Sequence, residues 1–317
     1  MAVIAINLIS NSITSAAISI AGKIMHKETK PLDQKGGSEV SLMIQKDIKK
    51  LLSIYENEPI KVKAIGISVP GIAFIKSGTV WAPNIAGWEN YPLLDEVSKL
   101  VKGKNIRIKI GSNRTCLILG EHWQGAAKKS KNAIFFSVGN GVGAGILIDG
   151  KILHGYNDGV GAVGWMALER PYRDIYKETG FMETRTSWKG ILQALEEQVR
   201  KTKNYRGVFL SRNINEVSVY ELFHAYKQKD KAAVKVIKDT FELWGMVVAN
   251  LVSMFNPEVF IFGGQVFGPA MEFIPELVNE TYKWALPLNA QKVKFVGSQL
   301  GSNAGLFGAG QLATGKF

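Results

Sequence analysis

The chain opens on an apolar run, residues 1–20, broken only by Asn7, Ser10, Asn11, Ser12 and Thr14. Those polar residues gather in the middle, so the run predicts two strands, 1–5 and 13–20, folded back as a hairpin. At 39–52 the apolar positions Val40, Leu42, Met43, Ile44, Ile48 and Leu51 fall on one helical face. Residues 62–69 are mostly apolar, as a buried strand should be, and Pro70-Gly71 ends them. A helix is expected at 93–100. Residues 106–110 form a strand whose Arg107 and Lys109 alternate with isoleucines, so one face is exposed. Further on, 133–138 is an apolar strand, and 146–148 turns at Asp149-Gly150 into 151–153. Helices follow at 186–201, 217–227 and 231–255, the last capped near Lys229-Asp230 and halted by Asn256-Pro257. Alternation of strands and helices predicts an α/β protein with mainly parallel sheets. No short-period repeat is present.

At 317 residues the chain can form two domains with sizeable cores, and 46% hydrophobic with 21% charged residues excludes a disordered chain. Its single cysteine, Cys116, excludes an intrachain disulfide and a multi-cysteine metal site, and points to the reducing cytoplasm. No stretch reaches the roughly 18 apolar residues of a membrane span, and no basic segment precedes the opening run, so a signal peptide is not expected. A net charge of +12 suggests anionic partners. The lysines, however, are spread over 46–63, 99–109, 128–131, 201–203 and 227–238, which describes a solvated basic surface better than a nucleic-acid footprint. The basic stretch 201–212 reads as a surface loop, or as a disordered insertion. His26, His122, His154 and His224 lack ligand spacing.

Candidate chemistry begins at Gly139, Asn140, Gly141, Val142, Gly143, Ala144 and Gly145, directly after a strand. Alternate glycines let a backbone turn approach a bulky anion, so this run has the shape of a phosphate cradle. Ile65 to Gly71, Gly78-Thr79-Val80, the segment Ala82-Pro83-Asn84-Ile85-Ala86-Gly87-Trp88, the stretch Pro257 to Gly264 and the stretch Leu300 to Ala309 accompany it. Together, and in this order, these blocks resemble the ROK family of repressors, open reading frames and sugar kinases. That resemblance implies an actin-like ATPase (sugar kinase) fold, two α/β domains with an interdomain cleft, sugar in its floor and nucleotide on the C-terminal side. The domains are expected at 1–118 and 119–317, with the final helix able to pack back on the first. Family members use ATP with Mg2+ and are commonly dimers or tetramers, so a homo-oligomer is expected. The family's repressors carry a helix-turn-helix before the first strand. This chain begins at the strand, so nucleic acid is not an expected partner, nor is a membrane.

Carried over residue by residue, the resemblance exposes departures. Ser112-Asn113 stands where the kinases have Asn-Asp, so Asn113 takes the place of the proton-accepting acid. An amide can hydrogen-bond a sugar hydroxyl but cannot take its proton, and loss of a positioned base lowers rates by about 10^2 to 10^4. Asn7 to Asn11 stands where the family has Asp-x-Gly-Gly-Thr, its metal-organising phosphate turn. Asn7 itself also reads as a strand-end residue satisfying nearby backbone groups. Ala162 and Trp165 replace the sugar-contacting Glu and His. Trp165 suits either an aromatic platform for a sugar ring or the core. Asp174, Tyr176 and Phe181 fill the slots of three zinc cysteines, so no zinc is expected and an apolar cluster should brace that loop instead. Retained are Asn84 and Glu183 near the sugar, and Gly139, Asn140, Gly141, Gly143, Gly263, Gly264 and Asn303 on the nucleotide side. Two readings follow: a sugar-sensing or regulatory homologue with impaired catalysis, or an active ATP-dependent hexose or amino-sugar kinase of a divergent branch.

Overall fold

The computed structural model describes residues 1–315. Its strands are β1 (Ala2–Ile9), β2 (Ser12–Ser19), β3 (Ile24–Pro31), β4 (Val62–Val69), β5 (Ile72–Phe74), β6 (Thr79–Trp81), β7 (Arg107–Ser112), β8 (Ala133–Val138), β9 (Val142–Ile148), β10 (Lys151–Ile152), β11 (Val259–Gly263) and β12 (Lys294–Gly297). Its helices are α1 (Gly37–Ile54), α2 (Leu93–Ser98), α3 (Asn113–Gln124), α4 (Tyr176–Thr179), α5 (Phe181–Thr186), α6 (Trp188–Lys201), α7 (Val219–Lys227), α8 (Lys231–Phe255), α9 (Ile274–Trp284), α10 (Pro287–Ala290) and α11 (Ala304–Thr314). They belong to two compact units. The first comprises Met1–Lys131, Gly145–Val160 and the chain from Ser298 onward; the second comprises Asn132–Ala144 and Gly161–Gly297.

In the first unit the sheet order is β3-β2-β1-β4-β7, antiparallel among β1, β2 and β3 and parallel from β1 through β4 to β7. The opening apolar run folds as expected, with its turn tightened to Ser10 and Asn11. Alternate β1 residues Ile4, Ile6 and Leu8 pack with Val40, Ile44, Ile48 and Leu51 of α1. Val3 and Ala5 pack on the other face with Ala16, Ala64, Leu306 and Ala309. Because both faces are covered, β1 shows no polar alternation. The α11 face is built from small residues. There α3 and α11 approach so closely that a Cβ on Gly308 would lie 1.6 Å from the Cys116 carbonyl oxygen, and one on Gly120 2.1 Å from that of Ala304. Strand β3 escaped the sequence pattern, since His26, Lys27, Glu28 and Lys30 make it polar. Ion pairs from Lys30 to Asp47 and from Lys50 to Glu28 tie it to α1.

The second sheet runs β10-β9-β8-β11-β12. In the second unit β8, β11 and β12 are parallel, and Phe136, Phe260, Phe262 and Phe267 pack there with Trp244 of α8. Strand β9 starts in this unit and carries the chain into the first, where Asp149 (φ 51°) and Gly150 (φ 74°) make the expected hairpin turn to β10. Helix α8 has the predicted limits: Asp230 caps the amides of Ala232 and Ala233, and Asn256 ends it in the left-handed region. The 201–212 stretch is an anchored loop, with Phe209 buried and the Tyr205 hydroxyl donating to Asp230 at 2.7 Å.

The division does not fall at 118/119. Helix α3 stays in the first unit because it packs on α11 and β7, and α11 belongs there too through its contacts with α3, β1 and β4. No described helix is long and apolar enough to cross a membrane.

Candidate functional site

At the carboxyl ends of the parallel strands β1, β4 and β7, Asn7 pairs with Ser68, and Ser112 pairs with the next residue, Val69. This end of a parallel sheet is where α/β proteins place their ligands. Helix α3 begins there. Ser112 caps it, accepting from the Thr115 amide at 3.3 Å, so the hydroxyl expected to meet substrate already has a structural partner. Asn113 follows as the first helical residue, half-buried, where helix amides lack intrahelical partners and the dipole is positive. Asn7 is 9% exposed and its Oδ1 is buried with no hydrogen-bond partner among the described residues. The local-backbone reading of Asn7 therefore fails for its oxygen. Gly305 of α11 stands against that side chain, a Cβ there lying 2.6 Å from Oδ1.

The Asn84 loop is held by its apolar members. Ala82, Ile85 and Trp88 are buried, the Trp88 Nε1 donates to the Gly37 carbonyl at 2.9 Å, and the Trp88 ring stacks on Tyr91 at 4.8 Å. Asn84 is left exposed. Asn303, expected on the nucleotide side, accepts from Lys27 Nζ at 2.7 Å.

In the second unit the glycine run forms the predicted strand-turn-strand between β8 and β9. The Gly139 amide donates to the Gly141 carbonyl at 3.0 Å, and the Gly139 carbonyl accepts from Trp188 at 2.8 Å. Gly264 (φ 94°) follows Gly263 at the end of β11, and a Cβ on Gly264 would lie 2.4 Å from the Val138 carbonyl oxygen. Both glycine turns thus meet the end of β8. Glu183 accepts from the Val142 amide at 2.9 Å. Trp165 ends a short 3-10 turn and is 51% exposed, so it is no core tryptophan.

Aromatic rings brace the loop at the zinc-cysteine slots. Tyr176 and Phe181 are buried and meet edge to face at 5.3 Å, and Tyr172 packs on Tyr176 at 6.1 Å. Asp174 is exposed and pairs with Lys177. Among the described residues no three His, Cys, Asp or Glu side chains are grouped to hold a metal.

Three further features lie outside the expected site residues. Glu121, fully buried, accepts from Ser298 Oγ and from the amides of Ala126 (2.7 Å) and Leu300 (3.0 Å), so it fastens the segment before α11 to α3. Gly125 leaves room for it, since a Cβ there would sit 2.0 Å from a Glu121 carboxylate oxygen. His154 lies with Nδ1 3.6 Å from Asp158, and burial lowers its pKa. The pair borders a cavity of about 220 Å3 beside β7, which Ser112 and Thr115 also line.

The ROK family model matches residues 3–316, and the chain belongs to that family. A glucokinase of Halalkalibacterium halodurans is 28% identical over 304 residues, 95% of this chain and 91% of that protein. A xylose repressor of Caldicellulosiruptor bescii is 32% identical over 245 residues, 75% of this chain but only 59% of the repressor. The structure of a ROK family glucokinase from Streptomyces griseus in complex with glucose and AMPPNP has a TM-score of 0.79 at 22% identity, covering 99% of this chain and 100% of that one. The chain thus has the ROK sugar kinase fold, of the actin-like ATPase type, and is homologous to sugar kinases and to repressors.

Proposed function

We propose that this chain binds a sugar and a nucleotide, and that its phosphoryl-transfer step is impaired, which suits a sugar-sensing or regulatory role. The observation that carries the reading is Asn113, an amide at the first residue of α3. Its carbonyl and NH2 keep a hydrogen bond to a sugar hydroxyl, worth about 0.5–1.5 kcal/mol net. It has no site for the proton that leaves as the oxygen attacks. In the first unit Ser112 and the exposed Asn84, and in the second the open ring of Trp165 and Glu183, are the further candidates for sugar contact. Candidates for nucleotide contact are Gly139, Asn140, Gly141, Gly143, Gly263 and Gly264 in the second unit and Asn303 in the first.

Magnesium fits this donor set poorly. Such sites use one or two carboxylates beside substrate phosphates, and Asn7 offers a neutral carbonyl oxygen. That oxygen, buried and without a partner among the described residues, remains an acceptor for a donor brought by a ligand.

The test pairs calorimetry with a coupled ADP-release assay over hexoses and amino sugars, for the chain and its Asn113→Asp variant. Sugar affinity should differ by less than about tenfold between them, while turnover rises about 10^2-fold or more in the acid form. Equal, substantial rates in both would place the base elsewhere and favour the active-kinase reading, which the full-length likeness to a glucokinase supports. No turnover in either would show that the Asn7 turn had ended catalysis independently.

A further inference from the structure

The glycine turn of the second unit already holds an anion, and the chain supplies it. Glu183 Oε2 accepts from the Val142 amide at 2.9 Å, directly after Gly141. Its seat is cut from two glycines. A Cβ on Gly141 would stand 2.8 Å from that oxygen, and one on Gly164 3.1 Å from both the oxygen and the Glu183 Cβ. Gly141 is not among the residues with positive φ, so its missing side chain is explained by room for the carboxylate rather than by backbone conformation. The turn is pinned from the other side as well, since the Trp188 amide at the start of α6 donates to the Gly139 carbonyl at 2.8 Å. An amide that donates to a carboxylate is withdrawn from any phosphate oxygen. A second anion at the same turn also meets like charge at close range.

We propose that Glu183 is an internal anion of the glycine turn, seated there in the sugar-free protein and drawn off when a sugar binds, so that sugar binding opens the turn to nucleotide phosphate. The proposal rests on reading these residues as a sugar and nucleotide site. A carboxylate accepts hydrogen bonds from paired hydroxyls, the chemistry a sugar offers, and its departure returns the Val142 amide to the turn. By linkage the effect is reciprocal: nucleotide bound at the turn must favour sugar by the same factor. Glu183 is then more than a sugar contact. It makes phosphate binding conditional on sugar, and would suppress futile nucleotide binding in a protein that senses rather than turns over.

The experiment uses the full chain and AMPPNP as probe, titrated with and without a saturating sugar chosen from the calorimetric panel. The unmodified chain should bind AMPPNP at least about tenfold tighter with sugar present. Glu183→Gln keeps an oxygen for the Val142 amide but removes the charge, and Glu183→Ala removes both. Each should bind AMPPNP about tenfold tighter without sugar and lose most of the sugar effect. Hydrogen exchange of the peptide containing Val142 is a nucleotide-free readout: protection should drop on sugar addition to the unmodified chain, and be low from the start in Glu183→Ala. Should AMPPNP and sugar both bind with no mutual effect and no change at Val142, the proposal is overturned while the site reading stands. Should neither bind to any form, the site reading falls and the proposal with it. The sugar effect on the unmodified chain needs no variant, so a misfolded mutant cannot rescue the idea.

Discussion

An acid and its amide have nearly the same shape, so Asn7 and Asn113 can sit where carboxylates would without disturbing the fold. Their identities were readable from sequence, but their circumstances were not. Ser112 is committed to capping α3, Glu183 to Val142, and Glu121 to three donors; the first of these is local, whereas Glu183 and two of the Glu121 donors involve residues far off in the chain. Histidines follow the same logic. Burial lowers the His122 pKa below its ordinary value, and its Nδ1 is buried without a partner among the described residues. The folded chain therefore resists a proton that the unfolded chain takes up below about pH 6.5. Stability from this group is complete above that pH and is lost as pH falls toward the lowered, folded value. Melting temperature should thus drop between pH 7.5 and pH 5, and drop less in His122→Gln; parallel melts that fall equally would remove His122 as a cause.

Elements were legible where a single periodicity dominated. The strands 62–69 and 133–138 and the helix 231–255 have the limits their apolar patterns dictate. Helix α6 starts two residues later than the pattern suggests because Ser187 caps it, accepting from Gly190. Strand β3 could not be seen at all, since its place at the sheet edge is fixed by pairing to β2 and by ion pairs rather than by apolar alternation. The α3 and α11 contact was also hidden, because it depends on side chains that are missing. A methyl group at Gly308 would overlap the Cys116 carbonyl, so Gly308→Ala must push two helices apart. Overpacking of this kind costs about 1–3 kcal/mol, and the upper end is expected because the obstacle is backbone. Denaturant unfolding of the variant should show a lower midpoint at unchanged m; an unchanged midpoint would mean that the helices separate freely.

At the scale of the molecule the fold class and the return of the final helix to the first unit were legible, whereas the interleaving of the two units was not. Block order pointed to the family, whereas the cut at 118/119 treated sequence neighbours as spatial neighbours. The chain instead leaves the first unit after Lys131, re-enters it for Gly145–Val160, and returns for good at Ser298. A fragment of residues 1–131 consequently lacks α11, which supplies Leu306, Ala309 and Ala313 to one face of its sheet. That fragment should lack cooperative unfolding and bind a hydrophobic dye, and a peptide of residues 298–317 added to it should restore a cooperative transition. A fragment that melts cooperatively alone would contradict this dependence.

The returning C-terminal segment also sets an order of events during synthesis. Strands β1, β2 and β4 leave the ribosome long before α11, the helix that covers their small-residue face, which begins only at Ala304. Until α11 is made, an apolar sheet face waits uncovered beside a chain still growing. Strand β1 and helix α11 must then find each other across the long chain between them, a long loop to close and a slow step. A nascent chain stalled before Ser298 exposes that face for as long as it waits, which makes it a natural client for chaperones that bind apolar surface.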